Sequence, residues 1–352
     1  MRVVVNALPL RHGGGVTYLQ QQLTELAQVA PDISLHTLMA PWSKLGDLPG
    51  ATETVRVRSV AGRFFFEQTR LPLRQADLLY CPANFGPMTG RSPVVLTIQN
   101  ANYYRSAKTL AETRPSRPPW KVAANRMAMR RAHAVVAVSR SLADDAAQAA
   151  PGVRGKLTVI YSGAPTWPAA STPVDGVPDD YIVSVASAAP HKRVEDVVRG
   201  WAAARGHNST RTALVLVGGH TDEQVARHRA IAGSHAADLV HLGWIGRRDQ
   251  LKWIYQHARA LVLMSTLESF SLTPIEAGSV GCGLVLSDLP VHREVAGDHA
   301  VYVPCGDSAA LARALASEVA SWTPGSRRWQ WDQTWRRHAE QLYRVFESVA
   351  GR

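Results

Sequence analysis

A chain of 352 residues, 46% hydrophobic and 19% charged, has the composition of a soluble protein with two domains, and it holds no apolar run near the roughly 20 residues that span a bilayer. Its formal charge of +11 calls for an anionic partner, but the basic residues are dispersed, clustering only at Arg126–Arg131 and Arg247-Arg248, with no base-reading helix or aromatic stacking motif, which excludes nucleic acid. Three widely spaced cysteines, Cys81, Cys282 and Cys305, argue against a disulfide framework or a zinc site, and with no signal-like start they predict a cytoplasmic protein.

In chain order, an apolar strand over Val3–Leu8 runs into Pro9-Leu-Arg-His12-Gly13-Gly14-Gly15 and then a helical pattern from Val16 to Ala27. Glycines between a first strand and its helix let backbone approach a ligand closely, although the run is not a dinucleotide G-x-G-x-x-G. Short apolar strands follow at Leu35–Met39, Val55–Val60, Leu78–Cys81 and Val94–Gln99, as expected of a parallel sheet covered on both faces.

Between them, Arg63-Phe-Phe-Phe starts a helix whose bulky face is assigned to core packing, with a lipid-facing apolar and basic face as the alternative. Gln99 and Asn100 end a strand, on the side where α/β sheets bind ligands. Arg117–Arg131 reads as a Pro-started helix mixing Trp120, Met127 and Met129 with basic residues, solvated by default and able to dock on an anionic membrane. Strands at Ala134–Ser139 and Leu157–Gly163 close this half.

A stretch rich in Pro and small residues, Ala164 to Pro178, reads as an interdomain linker. A second βα series then starts at Tyr181 and continues through Leu214–Gly219, with Gly218 at the strand end, and Leu239–Gly243. In the loop after its first strand stand Lys192 and Arg193, placed to neutralise a diphosphate. An apolar run, Leu261–Met264, leads into Glu268-Ser-Phe-Ser-Leu-Thr-Pro-Ile-Glu276-Ala. The spacing predicts a helix opening at Thr273, with Pro274 in its first turn and Glu276 either closing a capping box or gripping a ligand diol. The amides of Phe270, Ser271 and Leu272 would face a phosphate at that helix start. The last helix is expected over Trp329–Val349.

The Glu268 to Glu276 stretch resembles the Glu, seven residues, Glu signature of the retaining glycosyltransferases of family 4, written E-G-F-G-L-P-x-x-E-A, with Ser269 and Ser271 in place of its glycines. The Gly13–Gly15 opening and the Lys192 loop are similar to that family too. At Gln99-Asn100 many relatives have His-Asp, and at Ala186 many have Arg.

The resemblance implies an α/β GT-B fold: two Rossmann-like domains facing each other across a cleft, residues 1–165 for the acceptor and 166–329 for the nucleotide sugar, with a C-terminal helix over 330–352 crossing back. It implies transfer of a sugar from a nucleotide-diphosphate donor to a hydroxyl acceptor (glycan, lipid-linked or natural product), with retention and without metal or other cofactor. Lys192, Glu268, Gln99 and Asn100 would act at the reaction centre; Glu276, Gly14, Gly15, Arg193, Gly218, Phe270, Ser271 and Leu272 would bind the donor. Basic character also predicts peripheral contact with the anionic inner face of the membrane. The rival expectation is a catalytically silent nucleotide-sugar-binding protein or partner subunit of the same fold.

Overall fold

The computed structural model describes residues 1–11, 14–104, 118–206 and 211–351; His12 and Gly13 of the glycine loop and Arg117 of the basic segment lie outside them. The chain divides into two compact units, Met1–Gly163 with Gln333–Arg352, and Ala164–Asp332.

In the first unit, β1 (Arg2–Asn6), β2 (Ser34–Met39), β3 (Ala51–Thr54), β4 (Leu78–Cys81), β5 (Val94–Ile98), β6 (Ala134–Ala137) and β7 (Leu157–Val159) form one parallel sheet in the order β3-β2-β1-β4-β5-β6-β7. The inner strands β4, β5 and β6 are buried along their whole length, which explains why they read as continuous apolar runs. Leu19, Leu23 and Leu26 of the helix Gly14–Val29 pack with Ala339, Leu342 and Phe346 of the helix Trp335–Ala350 in one core.

In the second unit, β8 (Tyr181–Val185), β9 (Ala213–Val217), β10 (Leu239–Gly243), β11 (Ala260–Leu263), β12 (Gly283–Ser287) and β13 (Val301–Val303) are also all parallel, in the order β10-β9-β8-β11-β12-β13. Its core gathers Val197, Val198 and Trp201 of the helix Val194–Gly206 against Leu311 and Leu315. Each sheet has a switch point, where successive strands begin to add on the opposite side: β1 with β4 in the first, β8 with β11 in the second. Open α/β sheets leave a crevice at the carboxyl ends of those two strands.

Four expectations need correction. The strand expected at Val55–Val60 lies earlier, at Ala51–Thr54, because β3 pairs with β2 only opposite His36–Met39, and Ser59 then caps the helix Val60–Thr69 through the Gly62 amide. That helix buries only Glu67, so its phenylalanines are not core: Phe65 is exposed and Phe64 and Phe66 are half-buried.

The stretch after Gly163 is no free linker. Trp167 donates its indole N–H to Ser279 Oγ at 2.8 Å, Thr172 bonds Asp249 at 2.6 Å, and Lys252 Nζ reaches the carbonyls of Pro168 and Ala169. An aromatic anchor and three polar ties hold a segment that composition alone presents as loose. Finally, the last helix starts at Trp335, capped by Thr334 through the Arg337 amide; Trp329 and Trp331 precede it and belong to the second unit.

Candidate functional site

The loops that leave β8 and β11 meet at the switch point of the second sheet. Thr266 donates its backbone N–H to the His191 carbonyl at 2.8 Å, joining the two loops. Above that join, Lys192 Nζ lies 2.6 Å from Glu268 Oε1, with side chains 24% and 10% exposed. One of the three ammonium protons is thereby engaged, leaving two donors and a fixed positive charge.

Burial alone would raise the Glu268 carboxyl, but Lys192, through its charge and its hydrogen bond, leads the groups that outweigh burial and hold the carboxyl below its ordinary range. His292 is fully buried; burial lowers its imidazole despite the attraction of Glu268, and its Nδ1 lies 2.8 Å from the Ser287 carbonyl. That contact fits a neutral ring carrying its proton on Nδ1.

The second glutamate sits one helix further on. The helix spans Leu272–Ser279 and is preceded by Ser271 at φ 69°, in the left-handed region, with no side-chain cap. The expected Thr273 cap is therefore wrong: the left-handed turn brings the chain into the helix before Thr273, which falls inside the first turn. Glu276 closes no capping box. Its Oε1 accepts from Arg248 Nη1 at 3.1 Å, while the Tyr255 hydroxyl lies 3.5 Å from Oε2. Arg248 in turn stacks over the Trp167 ring at 4.4 Å. Burial raises the Glu276 carboxyl, opposed by Arg248 and Tyr255.

Amides of the first helical turn have no carbonyl four residues back to bond, which gives this helix start its affinity for anions. Phe270 is buried with its ring 5.8 Å from Trp331, and a Cβ on Gly278 would come within 2.6 Å of Trp329, so the two tryptophans hold the signature helix in place.

Other expected donor contacts have different partners. Arg193 Nε bonds Asp196 Oδ2 at 2.6 Å, and Asp196 also takes Arg199, so this guanidinium is tied to its own helix. Gly218 donates its N–H to the Gly243 carbonyl at 2.8 Å, and a Cβ there would meet the Ala186 carbonyl oxygen at 2.0 Å; close backbone contact explains the glycine.

In the first unit, the carboxyl ends of β1, β4 and β5 also gather. A Cβ on Gly15 would lie 3.8 Å from Gln99 Oε1, whereas Gly14 has nothing within 4 Å. Gln99 Nε2 donates to the Pro82 carbonyl at 2.6 Å, and Asn84 Oδ1 accepts the amides of both Gln99 and Asn100. Asn100 caps the short turn after it by accepting from the Asn102 amide. Gly15, Gln99 and Asn100 thus stand together at this edge of the first sheet; Lys192, Glu268 and Glu276 belong to the second unit.

Sequence reasoning missed Arg248, Tyr255 and His292. Arg248 was visible only as half of a basic pair, and neither of the others carries a local signal, because each meets its glutamate from a different element.

Residues 175–333 match the family model described as glycosyl transferases group 1. The chain is similar to the O-antigen chain mannosyltransferase RfbU of Salmonella typhimurium, 26% identical over 51% of this chain and 48% of that protein. It is also similar to the phosphatidyl-myo-inositol mannosyltransferase of Mycobacterium leprae, 34% identical over 39% of this chain and 38% of that one. The chain thus spans about half the length, or less, of the curated relatives it matches. Among solved structures it resembles the lipopolysaccharide-biosynthesis glycosyltransferase WaaG, with TM-score 0.69, 13% identity and 99% and 98% of the two chains covered. HepE of Anabaena gives TM-score 0.68, 16% identity and 99% and 100% coverage. At such identities these two likenesses speak for the fold, and that fold is GT-B. The signature glutamates and Lys192 all lie inside the residues that match the glycosyl transferases group 1 model, so it is the second unit that carries this likeness.

Proposed function

We propose that this chain transfers a sugar from a nucleotide-diphosphate donor to a hydroxyl acceptor with retention at the anomeric carbon. The observation that carries the proposal is the Lys192–Glu268 contact at the switch point of the second sheet. Glu268 fixes the ammonium, and the remaining N–H donors are free to turn toward a diphosphate, whose negative charge grows as the sugar departs; a donor already in position acts most strongly at that moment. The start of the helix Leu272–Ser279 adds amides for the same anion. Glu276, clamped by Arg248, is the candidate partner for the ribose hydroxyls.

The departing phosphate takes the acceptor proton in a same-face displacement, and the acceptor oxygen replaces the phosphate oxygen on the anomeric carbon. Lys192 and the helix start fill the electrostatic role of a divalent ion, which makes the reaction metal-independent. The relatives' names support a mannosyl donor as the first to test. Gln99 and Asn100 are assigned to acceptor hydroxyls, and the protein works in the cytoplasm with an acceptor that is anionic or lipid-linked.

The test is release of nucleoside diphosphate from a panel of nucleotide sugars by the purified chain, with and without excess chelator, and NMR of the anomeric proton in the product. Release that survives chelation, with retained configuration, is expected. Binding without release from any donor would favour the silent nucleotide-sugar-binding alternative.

A further inference from the structure

We propose that the first unit docks on an anionic lipid surface through the face formed by the helices Val60–Thr69 and Pro119–Arg131. Four large apolar side chains stand out on these helices and the turn between Thr69 and β4: Phe65 is 66% exposed, Leu73 72%, Trp120 49% and Met127 51%. Phe64 and Trp120 meet edge to face at 5.6 Å, and beside them opens a cavity of about 680 Å³ lined by Ala61, Gly62, Phe64, Phe65, Gln68 and Trp120. An apolar patch of this kind on a basic protein marks an interaction surface rather than a core.

The charges around it select the partner. Residues 56–74 carry five arginines and one carboxylate, the fully buried Glu67; Arg63 is paired with Glu67 and Arg74 with Glu53, which leaves Arg56, Arg58 and Arg70 outside those pairs, while residues 118–133 carry Lys121, Arg126, Arg130 and Arg131 and no acid. Lys121 Nζ lies 5.3 Å from the Trp120 ring, the pairing of an aromatic wedge with a cation that suits a headgroup boundary.

The same bias holds for the whole unit. Residues 1–163 and 333–352 contain 24 Lys and Arg against 11 Asp and Glu, whereas 164–332 contain 15 against 17. The entire positive excess therefore lies outside the unit that holds Lys192 and Glu268, and a nucleotide held there does not account for it.

Both helices are also tied to the ligand edge of the first sheet. Gln68 bonds the Gly86 carbonyl and the Met88 amide, and Asn125 Nδ2 donates to the Asn84 carbonyl at 2.6 Å. Asn84 is the residue whose side chain holds the Gln99 and Asn100 amides. A bilayer on this face would lie next to that edge, which fits a lipid-linked acceptor; this last step rests on the transferase reading, and the docking itself does not.

The test is flotation of the full chain, without nucleotide, with vesicles of phosphatidylcholine alone or mixed with phosphatidylglycerol. Wild type should float with the mixed vesicles, stay behind with phosphatidylcholine, and detach as salt is raised. Phe65→Ser with Trp120→Ser should bind at least about tenfold more weakly, and so should Arg70→Gln with Lys121→Gln and Arg130→Gln. Their unfolding temperatures and nucleotide affinities should be unchanged.

Failure of wild type to bind anionic vesicles, as for a face that meets a protein, would overturn the proposal. So would equal binding by the Phe65 and Trp120 variant. Neither result would touch the transferase reading, which nucleotide release tests separately.

Discussion

Lys192 and Glu268 stand 76 positions apart and meet because a parallel sheet brings the carboxyl ends of its two central strands side by side. That meeting was legible in the sequence, since both residues follow apolar strands directly and only the ligand edge is open to such loops. The surroundings of Glu276 were not. Its position eight after Glu268 suggested a cap or a diol clamp, and nothing in that spacing announces Arg248, which arrives from another helix and is oriented by Trp167. Glu276→Ala should weaken nucleotide binding by about tenfold or more, as expected for loss of a charged hydrogen-bonding partner, and calorimetric titration will read it. Unchanged affinity would leave Glu276 as no more than a counter-ion for Arg248.

At the scale of elements, apolar pattern located the buried inner strands of both sheets but not the edge strands β3, which is polar and mostly exposed, and β13, which is only three residues long, and element starts were harder to read. Thr273-Pro274 looks like a helix opening, yet the turn is made by Ser271 in a conformation that side chains avoid. A non-glycine residue there costs about 1 kcal/mol or more, an expense found where backbone must face a ligand. Ser271→Gly should therefore unfold at the same or a higher denaturant concentration, and Ser271→Val should lose about 1–3 kcal/mol. A valine variant as stable as wild type would show that this turn is not held left-handed.

The helix Val60–Thr69 misled for another reason. Three consecutive phenylalanines look like core, but consecutive positions on a helix point in different directions, and the side turned inward is that of Glu67, which accepts from Asn6 at 3.0 Å.

On the scale of the whole molecule, the C-terminal helix ties the last residues back to the first sheet, and His338 is its buried polar anchor. Its Nδ1 lies 2.8 Å from the Tyr161 carbonyl, while Nε2 faces the Gln22 amide at 2.7 Å and the Tyr18 hydroxyl at 3.3 Å. Only a neutral ring satisfies those donors, and burial pushes the imidazole down to about 4. In the unfolded chain the same group titrates near its ordinary value of about 6.5. As pH falls from 6.5 toward 4 the unfolded state therefore gains a proton that the folded state refuses, and stability drops across that window by about 3 kcal/mol at full extent. Above pH 6.5 this contribution is flat. His241, also pushed to about 4 chiefly by burial, works in the same direction in the second unit. Thermal unfolding between pH 4.5 and 7 should show the fall, and His338→Gln should make it shallower; an identical acid limb in that variant would remove His338 as a cause.

The most direct measurement is calorimetric titration of the full chain with UDP, GDP and ADP, for wild type and for Lys192→Ala and Lys192→Gln, once matching unfolding temperatures show that the variants fold. Wild type should bind at least one of these diphosphates, and both variants should bind it at least about tenfold more weakly, the effect of losing a charge-assisted contact. Equal affinity in the variants, or no binding of any of the three by wild type, would contradict a diphosphate held at Lys192.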